Sequence, residues 1–157
     1  MNDKRKSSVV QIVFLVAIIV FVFMAGEFYI PIQERIDDLH LRKLAGRIAA
    51  TDRAVATRQT HTSHKVMSMS FTGKDAQRIV QAVSSGRANR HLVMATSPPR
   101  VTFFQGTNVL AEIVTDSTLF SADGRRYEDG SGVLDALVYS PLIKMVHDEE
   151  MKELESK

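Results

Sequence analysis

The chain has 157 residues, of which 45% are hydrophobic and 24% are charged, and its formal net charge is +2. These proportions are those of an ordinary globular protein and exclude disorder along the whole chain. The absence of cysteine excludes disulfides, thiolate metal ligands, a cysteine nucleophile and a lipid-modified cysteine.

Charge is unevenly distributed along the chain. Residues 9–100 carry 12 basic and 6 acidic side chains, whereas residues 101–157 carry 5 basic and 11 acidic side chains. We expect the two halves to pack together and pair these charges. The alternative is a basic face that binds an anionic polymer or a lipid surface.

An apolar run near the N-terminus predicts a membrane anchor. Residues 9–26 contain only one polar side chain, Gln11, and extension of the helix to residue 30 brings it to about 30 Å, the thickness of a hydrocarbon core. Three basic residues precede the run, at positions 4–6. This asymmetry predicts a cytoplasmic tail over 1–8, an uncleaved single-pass anchor over 9–30 and a C-terminal domain outside the cytoplasm.

The expected location is the cell inner membrane, with the domain in the periplasm or outside the cell. No Asn-x-Ser or Asn-x-Thr sequence occurs, which favours a bacterial envelope over a eukaryotic secretory route.

The juxtamembrane segment 31–59 is predicted to be a helix, because residues 32–59 contain no proline and suit a helix by composition. Its apolar residues fall on two nearly opposite sides of the helix: Ile32, Ile36 and Leu39 on the first, and Leu41, Leu44, Ala45 and Ile48 on the second. We expect the first side to contact the membrane surface or a partner and the second side to pack on the domain. A bend or break near Gly46 is the alternative interpretation.

The next segment predicts a strand followed by a helix. Residues 66–71 alternate, which places Met67, Met69 and Phe71 on one face of a strand. Thr72 suits a helix N-cap, and apolar residues at helical spacing from Ala76 onwards predict a helix that ends near Ser85. Gly86 is expected to adopt the left-handed conformation common after a helix.

The C-terminal half predicts several short antiparallel strands and a last helix. The strands are expected at 91–96, 100–104 and 108–115 and around Leu119 and Tyr127, with turns at Pro98-Pro99, Gly106 and Asp123-Gly124. A helix follows from Val133 and is kinked or restarted by Pro141. We therefore predict an α+β domain over 60–147, a small antiparallel sheet with helices packed on one face, and a solvated charged tail over 148–157.

The nearest approach to a chemical site is a set of soft ligands of the kind that suits copper: His61, His64, Met67 and Met69. Against this reading, the two methionines share a strand face with Phe71, where methionine usually fills core space. Neither nucleotide-binding signature occurs, and the motif around Ser131 is too short for a nucleophile elbow. We predict no catalytic residue, cofactor or metal centre, and keep the four soft ligands as the candidate for copper.

A group of arginines, Arg87, Arg90 and Arg100, lies close in sequence to Phe103 and Phe104. Such a group can bind nucleic acid, but the predicted location makes an anionic envelope polymer or an acidic protein surface the expected partner. Solvated loop residues are the alternative interpretation.

Together these features predict a noncatalytic accessory or scaffolding subunit of a cell-envelope assembly, which binds a protein partner through its extracytoplasmic domain. The partner-binding residues are expected to be the three apolar residues of the juxtamembrane helix and the three arginines. The alternatives are an extracytoplasmic domain that binds a ligand or copper and, third, a small hydrolase.

Overall fold

The computed structural model describes residues 3–89, 94 and 97–156, and within its first helix the side chains of residues 13–24, 29 and 32–48. The helices are α1 (Asp3–Ile48), α2 (Gly73–Ser84), a π-helix (Asp135–Tyr139) and α3 (Ser140–Glu155). The strands are β1 (Arg53–Gln59), β2 (Val66–Thr72), β3 (Arg87–Ala88), β4 (Arg100–Gln105), β5 (Asn108–Asp116), β6 (Leu119–Ala122) and β7 (Arg125–Glu128). Apart from Met94, the strand predicted over 91–96 lies outside the described residues.

The chain divides into two compact units, Met1–Ile36 and Asp37–Lys157. In the first unit, the large apolar side chains of residues 13–24 are all exposed, by 47% to 75%. Among the residues that the structure describes, no helix is both long enough and apolar enough to cross a membrane. The anchor predicted over 9–30 has described side chains only at residues 13–24 and 29.

The second unit is built on a 7-stranded antiparallel sheet with the strand order β2-β1-β4-β5-β6-β7-β3. Two of the predicted hairpins are confirmed. The turn between β4 and β5 contains Gly106 at φ +59°, and the turn between β6 and β7 contains Asp123 at φ +50° and Gly124 at φ +76°. Positive φ at both central residues of the β6–β7 turn, and at the first central residue of the β4–β5 turn, matches the right-handed twist of the paired strands.

The alternation of side chains along the strands divides the sheet into a covered face and an open face. All buried apolar strand residues lie on the covered face: Ala54, Ala56, Phe71, Val101, Phe103, Ala111, Ile113, Phe120, Ala122 and Tyr127. Helix residues such as Leu44, Ile79 and Leu142 complete the same core. The predicted α+β fold, an antiparallel sheet packed by helices, is therefore confirmed.

The helix predicted over 31–59 is wrong beyond Ile48, because residues 53–59 form β1. Ala54 and Ala56 are fully buried while Val55 is half-buried on the other face, so the strand does alternate. Alanine has the most favourable helix propensity, so the alanines of this segment made its composition typical of a helix. Pairing with β2 on one side and β4 on the other satisfies the backbone of β1 and outweighs that propensity.

The second apolar side of α1 packs on the domain as predicted, with Leu41, Leu44 and Ile48 buried. The alternative interpretation, a bend or break near Gly46, does not match the end of the helix, because α1 runs through Gly46 and ends at Ile48.

The helix predicted after β2 is confirmed as α2, but the role predicted for Gly86 is wrong. Gly86 does not have a positive φ; instead, an added Cβ would lie 2.7 Å from Cζ and 2.8 Å from Cε1 of Phe120. Phe120 is fully buried, and its ring stacks on Tyr127 with centroids 5.2 Å apart. Glycine is therefore required here because a buried aromatic ring occupies the space of a side chain.

The opposite charges of the two halves of the chain are paired in the folded domain. Three ion pairs join a basic residue of the first half to an acidic residue of the second: Arg47 with Asp123 at 2.7 Å, Arg100 with Glu112 at 2.8 Å, and Lys65 with Glu149. The expected pairing of the halves therefore accounts for part of the charge asymmetry.

A further ion pair, between Asp37 of α1 and Arg125 of β7, has a buried carboxylate. The side chain of Asp37 is 5% exposed and that of Arg125 is 29% exposed. The hydroxyl of Tyr127 donates to the main-chain oxygen of Asp37 at 3.4 Å. Burial, followed by the charge of Asp37, raises the pKa of Tyr127. These contacts hold the last turns of α1 against the sheet.

The C-terminal helix begins irregularly. A π-helix precedes α3, and Pro141 lies in the first turn of α3, where its missing N–H costs nothing. The restart predicted at Pro141 is confirmed. Residues 148–155, predicted as a solvated tail, continue α3, and three of its glutamates contact the loop between β1 and β2.

Candidate functional site

A cleft of about 500 Å³ opens beside the loop that joins β1 to β2. Its described lining contains four basic residues and no acidic one: Arg58, His61, His64 and Arg100. Hydroxyl groups of Thr57, Thr60 and Ser97 and the amide of Gln59 complete the polar wall. A concave site of this size, lined by hydrogen-bond donors and cations, suits an anionic group.

The position of the two histidines is set by α3. The loop closes on itself through a bond from Thr60 N to Lys65 O at 2.9 Å. Glu150 accepts a hydrogen bond from His61 N at 2.6 Å, and Glu153 accepts one from the Ser63 hydroxyl at 2.5 Å. Carboxylates of α3 therefore hold the loop by its backbone and hydroxyls.

Lys65 ends this loop and adds a charged contact to α3. It forms an ion pair with Glu149, and that hydrogen bond is the main cause of a raised pKa for Lys65. The sequence signal for this contact is the cluster of acidic residues at 149–153. These residues lie in the segment predicted to be a solvated tail.

Arg58 borders the cleft, but its side chain extends on the covered face, because residue 58 shares that face with Ala54 and Ala56 in the alternation along β1. Its Nε is buried and has no hydrogen-bond partner among the described residues. Burial, and next a hydrogen bond with Asp116, raises the pKa of Tyr139, and the charge of Arg58 opposes that rise.

The four candidate copper ligands do not line one site. His61 and His64 line the cleft, whereas Met67 and Met69 lie on the covered face and pack against the core. Over the described part of the chain, no group of three or more His, Asp or Glu side chains could hold a metal ion. The two methionines thus have the packing role that their spacing also allowed.

The three arginines predicted as one basic group are not brought together where the structure describes them. Arg87 lies on β3 at one edge of the sheet, and Arg100 lies on β4, four strand spacings or about 19 Å away. Arg90 lies outside the described residues. Phe103 is fully buried, and Phe104 lies under the guanidinium of Arg53, 4.6 Å from its ring centroid.

The apolar residues predicted to contact a partner are accessible to different extents. Ile32 is 55% exposed and Leu39 is 56% exposed, while Ile36 is partly buried. Their role in partner binding stays a prediction.

Ser131 contacts Asp129 at the start of the last helical region. Its hydroxyl and its N–H both donate to Asp129, and the other carboxylate oxygen of Asp129 accepts from Leu134 N at 2.9 Å. Asp129 is 1% exposed. A buried carboxylate that accepts N–H groups at the start of a helix is a capping arrangement.

The open face of the sheet is the second surface of interest. We define it by the outward residues of the three central strands: Val55 and Thr57 of β1, Arg100 and Thr102 of β4, and Glu112 and Val114 of β5. None of these residues is buried, and three strands therefore present a side-chain surface that no described helix covers.

The fold and these surfaces define a small α+β domain with one covered and one open sheet face. Comparison with protein-family models, with curated proteins and with solved structures gives no match. Function is therefore inferred from the residues of the domain itself.

Proposed function

We propose that this protein is a membrane-tethered, noncatalytic accessory subunit of a cell-envelope assembly, and that its α+β domain binds a protein partner through the open face. The observation that supports the proposal is that the described helix residues of the core, all within Asp37–Lys157, pack on the other face of the sheet. A sheet with one free face offers a rigid surface on which a partner can dock without rearrangement of the domain.

The chemistry of the open face favours a folded protein as the partner. Arg100 lies 2.8 Å from Glu112, which also accepts a hydrogen bond from the Thr102 hydroxyl at 3.4 Å. Half-buried Val55 and Val114 flank these polar groups. A polyanion would require an excess of unpaired cations, whereas a surface with both signs and aliphatic groups complements another protein surface.

In this proposal, residues 9–30 anchor the chain in the cell inner membrane with residues 1–8 in the cytoplasm. The basic residues at 4–6 support that orientation. The domain then lies in the periplasm or outside the cell, where its partner is another membrane or envelope protein.

The test is co-purification of the full chain from its native membrane in mild detergent, with the partner quantified by mass spectrometry. Thr102→Arg places a long charged side chain on the open face and is expected to reduce partner recovery at least tenfold. Thr107→Arg, at an exposed turn of the same hairpin, is the matched control and should leave recovery unchanged. Equal recovery with both variants would remove the open face as the interface, and a protein that purifies alone would refute the accessory role.

The cleft supports a second candidate function, the binding of an anionic ligand such as a phosphate or carboxylate group of an envelope polymer. The specific observation is that the ionisable residues of its described lining are all basic.

Calorimetric titration of the full chain with inorganic phosphate and with polyphosphate tests this candidate. His61→Ala is expected to weaken binding about tenfold, because an imidazole N–H donor of the exposed lining is lost. Arg78→Gln removes an exposed arginine of α2 outside the cleft and should leave the affinity unchanged. If neither anion binds the unmodified chain, the second candidate fails.

A further inference from the structure

Among the described strands, the sheet has one long edge strand, β2. β2 is the outermost strand on one side, and β3, on the other side, has only 2 residues. β2 pairs with β1 over 7 residues without a register shift. Its sequence, VMSMSFT, contains no charge and no proline, the residues that commonly prevent edge strands from pairing.

A hydrogen bond at the start of β2 shows which of its backbone N–H and C=O groups face β1. Thr60 N donates to Lys65 O at 2.9 Å, so alternate residues from Lys65 onwards, including Met69, direct their backbone groups toward β1. The intervening residues direct their N–H and C=O groups to the free edge: Val66, Ser68, Ser70 and Thr72. Among the described strands, β2 has β1 as its one neighbour.

The side chains of β2 are arranged almost symmetrically about Met69. In an antiparallel pairing of two copies about this residue, Ser68 faces Ser70 of the other copy and Val66 faces Thr72. These are the residues with free backbone groups, so they form the hydrogen-bonded pairs of the new ladder. On the covered face, Met67 lies opposite Phe71 of the other copy, and Met69 lies opposite Met69 of the other copy. Apolar side chains are therefore neighbours on the covered face, and the serines are neighbours on the opposite face.

We propose that the protein forms a homodimer in which β2 pairs with β2 of a second copy around a two-fold axis at Met69, joining the two sheets into one. Met67 and Met69 supply apolar contact area, since both pack at the rim of the core and are only half-buried in the single chain. Pairing buries their remaining surface and satisfies the edge backbone groups. The proposal does not rest on a partner of the open face or on a ligand in the cleft, although Val66 belongs both to the paired edge and to the cleft lining.

A single introduced cysteine tests the pairing, because the chain has no cysteine of its own. In Met69→Cys the two copies of residue 69 form a non-hydrogen-bonded pair with Cα atoms about 4.5 Å apart, which is within the range that a disulfide spans. Oxidation of the full-length variant in mild detergent is expected to give a disulfide-linked dimer.

The matched controls follow from the same register. Ser68→Cys alone should stay largely unlinked, because residue 68 of the second copy is a diagonal neighbour about 7–8 Å away. A mixture of Ser68→Cys and Ser70→Cys chains should form the mixed disulfide, because those positions face each other. Equal cross-linking of the Met69→Cys and Ser68→Cys variants would overturn the proposed register.

A second measurement does not depend on oxidation. The unmodified chain is expected to sediment in detergent as a dimer, and Ser68→Pro, which removes one outward N–H and leaves the bonds to β1 intact, as a monomer with the same unfolding midpoint. A monomeric unmodified chain, or a β2 edge occupied by a different protein, would overturn the homodimer.

Discussion

Asp37→Asn is expected to lower the free energy of unfolding of the full chain by about 2–3 kcal/mol. The substitution keeps the shape of the side chain but removes the charge that faces Arg125, and the Asp37 side chain is only 5% exposed. Removing one partner of a buried ion pair costs about 3–5 kcal/mol. The Arg125 side chain is 29% exposed, so water can hydrate it in the variant. The expected loss therefore lies at or below the lower end of that range.

Denaturant unfolding in detergent measures this loss, and the chain provides a matched control. Asp123→Asn removes the carboxylate charge from the ion pair with Arg47. The side chain of Arg47 is 48% exposed and that of Asp123 is 60% exposed. The substitution is therefore expected to change the free energy of unfolding by at most about 0.5 kcal/mol. Asparagine also tolerates the positive φ of residue 123. Equal losses for the two variants would contradict the assignment of the Asp37 pair as the stabilising contact.

A second readout of the same variant is local. The charge of Asp37 contributes to the raised pKa of Tyr127 after burial, so Asp37→Asn should lower that pKa toward its ordinary value of 10.0. An ultraviolet titration compared with that of Tyr127→Phe identifies the signal of this tyrosine. A pKa that does not move would show that the two groups are not coupled.

Gly86→Ala is expected to destabilise the domain by about 2–3 kcal/mol, which is the usual range for overpacking a tightly filled site. The new methyl group would lie 2.7 Å from a ring carbon of Phe120. That ring cannot withdraw easily, because it is fully buried and stacked on Tyr127. The backbone oxygen of Val83, 3.2 Å from the added Cβ, closes another side.

Gly46→Ala is the control for this prediction and should act in the opposite direction. No atom lies within 4 Å of a Cβ added there, and residue 46 is inside α1. Alanine in a helix interior is more favourable than glycine by up to about 1 kcal/mol. In the double variant Gly86→Ala, Phe120→Leu, the smaller side chain should relieve the clash and lessen the effect of the alanine. If Gly86→Ala alone is neutral, Phe120 has room to move and the packing argument fails.

The variants proposed for the three surfaces separate them experimentally. Thr102 lies on the open face, His61 lines the cleft, and Met69 lies on the covered side of the edge strand. Loss of a protein partner in Thr102→Arg with an intact dimer would show that the two protein contacts are distinct. Loss of phosphate binding in His61→Ala with full partner recovery would do the same for the cleft.

Local patterns predicted the elements in which sequence spacing and folded environment agree. α2 has a single apolar stripe that faces the core, and residues 123 and 124 belong to a two-residue turn with a strong local preference. The alternation of Met67, Met69 and Phe71 likewise placed all three on the covered face. In each case the residues themselves carry the conformational preference.

The missed features depend on partners that are distant along the chain. The sequence of β1 predicts a helix, because Ala54 and Ala56 have high helix propensity. The segment is a strand because it pairs with β2 on one side and β4 on the other. The cleft requires the β1–β2 loop to be held by glutamates more than 80 positions away. The basic group of Arg87 and Arg100 fails because β3 joins the far edge of the sheet through β7.

The sequence by itself determined the fold class, one antiparallel sheet with helices on one face, because hydrophobic periodicity and turn residues act over a few neighbours. It also determined the absence of cysteine chemistry. Only the tertiary structure decided which strands stand at the edge and which cations line the cleft. It alone also decided why Gly86 must be glycine. Those properties arise from strand order and close packing, which bring together residues whose separation along the chain carries no local signal.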